Sequence, residues 1–325
     1  SDALGFVRVN QLGATDEKLG QLSQTFRVPL PGPLAFLKLA TGLGEGVDRQ
    51  GDALLAFLPG ETDDGQPVPV VMIPVSDYAQ FVEPIQGDAS GEICRVAVAG
   101  EDVLVGQKGD YALVMNLENR PQMERLLPLE AAKPAGLEPI REWLAANEIA
   151  MMLMPRGVDQ AIGMGRAGLQ AQQEQFAESF GDSDMQDMLQ QLQQSLRMYD
   201  QLLGGFGAEV DAVAIGLSVD DQQNLRLGKR VLLESQGILA QLPTVQRRDD
   251  STLHGYADQA YVAAGGGPTP EDWTGPLSEA AQRLMQNYPA LYGLEGLDDE
   301  DWDQAKQSWL ESMQGVRGIS MILYA

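Results

Sequence analysis

One cysteine, Cys94, serves a chain of 325 residues. A lone thiol closes no disulfide within the chain, so the fold has to hold by burial and hydrogen bonding alone. Cys94 lies in the alternating run EICRVAVAG, where a buried strand thiol is expected; a nucleophile would need a base. Histidine is equally scarce, and nothing links the single His254 to Cys94 or to a set of metal-type ligands. Cations are outnumbered, 22 Lys+Arg against 47 Asp+Glu, for a net charge of −25. Nucleic acid and anionic lipid are held by Lys/Arg-rich surfaces, so this balance argues against both as partners. The acid either keeps the chain in solution or draws a divalent cation or a basic partner. No apolar run nears the roughly 18–20 residues that cross a bilayer, so no membrane span is expected. An apolar content of 44% excludes wholesale disorder.

What is present is periodicity. ALGFVRV (3–9) alternates as a strand, and TDEKLGQLSQTF (15–26) sets Leu19, Leu22 and Phe26 at helical spacing behind a Thr15/Asp16 cap. PLAFLKLATG (33–42) reads as a short helix with Pro33 in its first turn. DALLAFLPG and VPVVMIPV, divided by the turn-rich ETDDGQP (61–67), predict a hairpin. SDYAQFVEPI (76–85) predicts a capped short helix. EICRVAVAG, DVLVGQK and DYALVMNL predict successive strands, and RPQMERLL (120–127) and LEPIREWLAA (137–146) predict helices.

The pattern then recurs. EIAMMLMP (148–155) is a Met-rich strand, better explained by core alternation than by metal binding. A long Gln-rich helical region over 157–204 follows, broken at GDSD (181–184). Met185, Leu189, Leu192, Leu196, Tyr199 and Leu203 fall at steps of four and three, a coiled-coil-type seam. Val158, Ile162, Gly165, Leu169, Phe176 and Phe180 form a gappier one. The two helices either pack on each other as an antiparallel hairpin or offer the seam to a partner. GLGEGVDRQGDALLA (42–56) and GGFGAEVDAVA (204–214) both read as a Gly-apolar-Gly helix cap leading into a hairpin. A slide of 159 positions pairs Asp52 with Asp211, Leu58 with Leu217 and Ser76 with Ser235 without a gap. In VDAVAIGLSVDDQQNLRLGKRVLL (210–233) the odd-numbered Val213, Ile215, Leu217, Val219, Leu225, Leu227, Val231 and Leu233 can face one side, with Lys229 the exception in the second strand. Arg226 and Arg230 point the other way, which predicts a sheet covered on one face only.

At the far end WDQAKQSWLESMQGVRGISMILYA (302–325) is a helix then a strand, similar to 137–155 down to Trp143-Leu144 and Trp309-Leu310. That strand either completes a sheet or leads into further chain beyond Ala325. The expected fold is therefore α+β with two related units, residues 1–146 and 147–325. Each runs strand–helix–helix–β-hairpin–helix–antiparallel strands–helix, with the helical hairpin of 157–204 inserted in the second.

The segments DAVAIGLSVDDQQNLRLGKRVLLESQGILAQLP (211–243), ADQAYVAAGGG (257–267), LLAFLPG (54–60) and PVVMIPVSDYAQFV (69–82) resemble secreted α+β repeat proteins of planctomycete-type bacteria, a family without an assigned activity. The resemblance implies an extracytoplasmic setting, whether periplasmic, secreted or envelope-associated, and implies no reaction. An opening of Ser1-Asp2 running straight into apolar sequence reads as a processed N-terminus or a trimmed one.

No motif adds chemistry. Asp299, Asp301 and Asp303 alternate as in a calcium loop, but Gln304 and Leu310 stand where glycine and a bidentate acid are needed. First-turn acids of a helix explain them better. AAGGGPTP (263–270) lacks phosphate-loop spacing and reads as a flexible connection; TPEDW (269–273) reads as a helix start. No cofactor is expected. The leading expectation is a non-enzymatic binding or assembly protein with a protein partner or self-association through Met185, Leu189, Leu192, Leu196 and Tyr199. The alternatives are a hydrolase with paired carboxylates between the two units, and a calcium-dependent structural protein.

Overall fold

The computed structural model describes residues 3–27, 31–35, 38, 45–60, 65–87, 91–98, 100–130, 135–179, 186–220, 222–241, 261–268, 274–289, 299–313 and 318–324. Nine strands form one antiparallel sheet. They are β1 (Gly5–Val9), β2 (Ala53–Leu58), β3 (Val68–Pro74), β4 (Ile93–Val98) and β5 (Glu101–Lys108), then β6 (Tyr111–Asn116), β7 (Ile149–Leu153), β8 (Val210–Val219) and β9 (Leu225–Leu233). Their order is β4-β5-β6-β3-β2-β1-β7-β8-β9. Four helices accompany them: α1 (Leu12–Phe26), α2 (Tyr78–Val82), α3 (Arg120–Leu126) and α4 (Arg141–Ala145). The longer α5 (Pro155–Ser179) and α6 (Gln186–Glu209) follow, then β10 (Tyr261–Pro268), α7 (Thr274–Asn287), α8 (Asp299–Met313) and β11 (Gly318–Tyr324). Mixed helix and antiparallel sheet, the α+β expectation at its coarsest, is what the chain adopts.

Two compact units result. One comprises 1–161 with 211–232, and the other 162–210 with 233–325. These units do not divide at 146/147, because β7, β8 and most of β9 belong to the same sheet as β1–β6.

In the first unit, the face of the sheet carrying Cys94, Val105 and Ile73 is covered by α2, whose Tyr78, Phe81 and Val82 are buried in one cluster with them. Asp77 caps α2 by accepting the Gln80 N–H, as a short helix after a polar turn requires. The opposite face has two clusters. Met123 of α3 covers Val70, Leu104 and Leu113. Ile140 and Leu144, at and before α4, cover Ala150, Met152, Ala212 and Ala214. Cys94 is buried, as its alternation predicts.

α1 begins at Leu12, earlier than the Thr15/Asp16 cap predicts. Gln11 stands at its N-terminus with φ 40°, its N–H donating to Asp52. Thr15 is inside the first turn and its hydroxyl donates to the Asn10 carbonyl. The first helical N–H groups, of Leu12 and Gly13, donate to the Gly51 and Arg49 carbonyls at 3.0 and 2.7 Å, so tertiary backbone does what a local cap would have done.

In the second unit, α5 and α6 run antiparallel: Arg166 pairs with Asp200 at 2.8 Å, and Gly165 lies against Leu203. Gly204 to Gly207 are not a cap, for α6 continues through them to Glu209. They admit close neighbours instead. A Cβ on Gly207 would stand 2.8 Å from Ile162 Cδ1, and one on Gly205 3.2 Å from the Tyr288 ring. Glu209 is buried and accepts the N–H groups of Ile238 and Leu239 at 3.0 and 2.7 Å, tying the helix end to the following turn. Tyr288 nearby has its hydroxyl pushed up, first by burial and then by the Glu209 charge.

The AAGGGPTP segment is not a flexible connection as far as Pro268. Gly265, Gly266 and Gly267 are paired in β10 with Met321, Ser320 and Ile319 of β11, a two-stranded sheet. The C-terminal strand therefore has a partner. The first Gly-Leu-Gly (42–44), His254 and TPEDW lie outside the described residues.

Candidate functional site

Cα partners in an antiparallel sheet share a face, so the registers trace rows across it. One row runs Cys94–Val105–Val114–Val71–Leu55–Val7–Met151–Ile215, apolar in eight successive strands. At its β4 end it is sealed, with Val105 fully buried under α2. At its β8 end it is bare, with Met151 44% and Ile215 40% exposed. The neighbours on this face continue the trend: Leu153, Leu225, Val231 and Leu233 are exposed, and Leu227 is 77% exposed. Apolar residues this exposed and this contiguous mark a contact surface.

The hairpin β8–β9 is covered on one face only, as its alternation predicts, but the covered face is not the large-residue one. Ala212 and Ala214 are buried, and a Cβ on Gly228 would lie 3.3 Å from the Trp143 ring. Small residues let α4 approach closely, while of the odd-numbered apolar residues Ile215, Leu225, Leu227, Val231 and Leu233 are exposed, Val213 and Leu217 are half-buried and Val219 is buried.

The hairpin's tip is held firmly. Asp220 N–H donates to the Asn224 carbonyl and Gln223 N–H to the Asp220 carbonyl, with Gln223 at φ 62°. Gln223 thus takes the left-handed conformation that glycine favours. The Asp220 carboxylate accepts from Asn224 N–H, the Asn224 side chain, Gln222 N–H and Arg226. Those bonds, the Asn224 backbone N–H first, hold its carboxyl down at about 2.

A polar concavity of about 450 Å³ in the first unit lies where β1 ends, lined by Arg8, Asn10, Thr15, Lys18, Asp52 and Glu148 among others. Its charges are mutually committed. Asp52 accepts from Arg8 at 2.7 Å and from Gln11 N–H, and Glu148 accepts from Lys18 and from Val219 N–H. Asn10 donates to the carbonyls of Leu144, Ala145 and Asn147 at the end of α4. Its Oδ1 is buried without a partner among the described residues. Bonds of this kind fix strand ends.

Cys94 and Tyr78 meet at 3.9 Å between sulfur and hydroxyl. Burial first, and then the neighbouring thiol, push the Tyr78 hydroxyl well up. Among the described residues, no group of three or more His, Cys, Asp or Glu could hold a metal ion, and no helix is long and apolar enough to cross a membrane.

The helical seam is placed only in part. Met185 lies outside the described residues; Leu189 and Leu192 lie in α6, with their side chains not described. Leu196 is buried and unavailable to a partner, and Tyr199 is exposed. Among the described residues of α6 the exposed large apolar side chains are Tyr199 of the predicted seam and, beside it, Leu202 and Phe206. Sequence reading missed the bare sheet face because alternation gives parity without saying which side is covered. The small residues Ala212, Ala214, Gly216 and Gly228 were the available signal.

No protein-family model, curated protein or solved structure matches this chain.

Proposed function

We propose that this chain is a non-enzymatic extracytoplasmic protein that acts by binding or assembly, with the bare end of its sheet face as the contact surface. The observation that carries the reading is the row from Val105 to Ile215, apolar throughout yet exposed at Met151 and Ile215. A solvent-facing sheet surface ordinarily alternates to polar residues. Here the face turned to water keeps its large apolar side chains and the covered face has the small ones. The extracytoplasmic setting rests on the resemblance of 211–243 and 54–82 to secreted repeat proteins.

The internal duplication is proposed on the same footing. β1 and β7 lie side by side, flanked by β2 and β8 and then by β3 and β9, and α1 and α5 each follow the strand before them. A related pair of units needs an even offset between hairpins. Leu58 pairs with Val68 on one face, and Leu217 pairs with Ile149 on the other, so an ungapped slide of 159 would turn every side chain over.

The test is capture from a native envelope fraction with wild type, Leu227→Asp and, as a control on the opposite face, Arg230→Ser. The expected result is a retained species, or self-association, that Leu227→Asp abolishes and Arg230→Ser leaves intact. Identical behaviour of all three would overturn the surface, and fractionation of the native protein with the cytoplasm would overturn the setting.

A further inference from the structure

We infer that the occupant of the bare face is a second copy of this chain, docked face to face about a two-fold axis, with Lys229 of each copy meeting Asp211 of the other. The inference rests on the binding reading above and gives it a partner.

Charge is the first argument. On the outward face of β8 and β9 the odd-numbered positions are apolar with two exceptions, Asp211 and Lys229. Neither makes an ion pair among the described residues. The turn pairing of Asp220 with Asn224 puts Ile215 opposite Lys229, so Asp211 lies four residues further along β8. That separation is roughly 13 Å, beyond reach of a pair within one chain. A face with one anion and one cation held apart is self-complementary under a two-fold, because a single operation makes both pairs. A hetero-partner would have to supply the same two charges at the same spacing.

Geometry is the second. An axis in the interface plane that exchanges these two positions tips the two sets of strands roughly 40° from antiparallel, near the roughly 30° of aligned sheet packing. Area is the third. The exposed fractions of Met151, Leu153, Ile215, Leu225, Leu227, Val231 and Leu233 amount to about 550–600 Å² of side chain. That is the upper end for a patch on a monomer, and most of the ~800 Å² each partner contributes to a standard interface.

The edge of β9 is a poorer contact for a second copy. β9 contains Arg226, Lys229 and Arg230 and no acid, so edge-to-edge pairing would bring like charges together. The face, with balanced charge, does not have that cost.

The experiment is sedimentation equilibrium of the full chain at about 0.15 M salt, where the net charge of −25 is screened beyond about 8 Å. The variants are Lys229→Asp, Asp211→Lys and the double exchange. Wild type is expected to sediment at twice the 35.1 kDa chain mass. Each single reversal should weaken the dimer at least about tenfold, and the double exchange should restore it to within about threefold. If Asp211→Lys does not fold, the exposed Lys229→Asp decides alone. A wild type that stays monomeric to about 100 µM overturns the inference, as does a dimer indifferent to both reversals. A monomer that still loses a captured partner on Leu227→Asp removes the second copy and leaves the binding reading standing. A monomer with no such loss removes both.

Discussion

The Glu148 carboxylate accepts the Val219 backbone N–H at 2.8 Å, joining the start of β7 to the end of β8. Its other oxygen takes Lys18 from α1, and the Glu148 side chain is only 11% exposed. One acid thus ties two strands and a helix. Glu148→Ala leaves a backbone donor unpaired in a nearly closed place, which costs about 1–3 kcal/mol. Urea unfolding of the two proteins measures it, and a midpoint equal to wild type would show that water replaces the carboxylate.

Adjacent methionines on β7 should respond oppositely. Met152 is 1% exposed in the cluster under α4, so Met152→Ala costs about 2–5 kcal/mol by lost burial and cavity. Met151 is on the bare face, and Met151→Ser should stay within about 1 kcal/mol of wild type in the monomer. Comparable losses at both positions in the monomer would mean that the chain itself covers Met151.

Much of the sheet could be read from residues alone. Alternation, or for β2 and β3 apolar runs divided by turn residues, predicted β1 through β9; the seam left a self-packed helical hairpin and a partner surface both open, and Ile162 and Leu196 are buried. What escaped was set by distant partners. α1 starts at Leu12 because carbonyls far along the chain, of Gly51 and Arg49, accept its first N–H groups, and Asp52 holds the N–H of Gln11. Gly204–Gly207 continue a helix because close packing with Ile162 and Tyr288 favours them over a cap. The three glycines of β10 pair because β11 supplies the other edge. For the candidate surface, parity at Ile215 was legible, and its exposure was not. Coverage depends on where α4 lands, and the hairpin's own sequence shows that only through its alanines and glycines.

Cys94 should be unreactive until the sheet opens. Its sulfur is buried against Tyr78 in the cluster beneath α2. A chromogenic disulfide reagent should leave it unmodified in native buffer and label it fully in denaturing urea. Native labelling at the denatured rate would contradict the packing of α2 on β4.

Asp220 gives the hairpin a pH dependence with a definite sign. Its folded carboxyl is depressed to about 2, so the charged form is the one the fold favours. The stabilisation is complete above the unfolded value of about 4 and is lost as pH falls from about 4 toward 2. The gap in urea midpoint between wild type and Asp220→Asn should therefore be largest near neutrality and close below pH 4. A gap that is the same at pH 6 and pH 2.5 would mean that the turn does not depend on the charge.

Two glycines of α5 separate close approach from mere flexibility. A Cβ on Gly157 would stand 1.8 Å from the Leu4 carbonyl oxygen, which also accepts the Met154 N–H at 2.9 Å. Backbone on both sides leaves nothing to rotate away, so Gly157→Ala must push the helix start from the strand and cost about 2 kcal/mol or more. Gly163 in the same helix has open space around its Cβ position. There alanine removes unfolded-state freedom without a clash, and Gly163→Ala should stabilise by about 0.5–1 kcal/mol. Thermal unfolding of the two variants side by side should move in opposite directions; stabilisation by both would mean that α5 does not meet the backbone at Leu4.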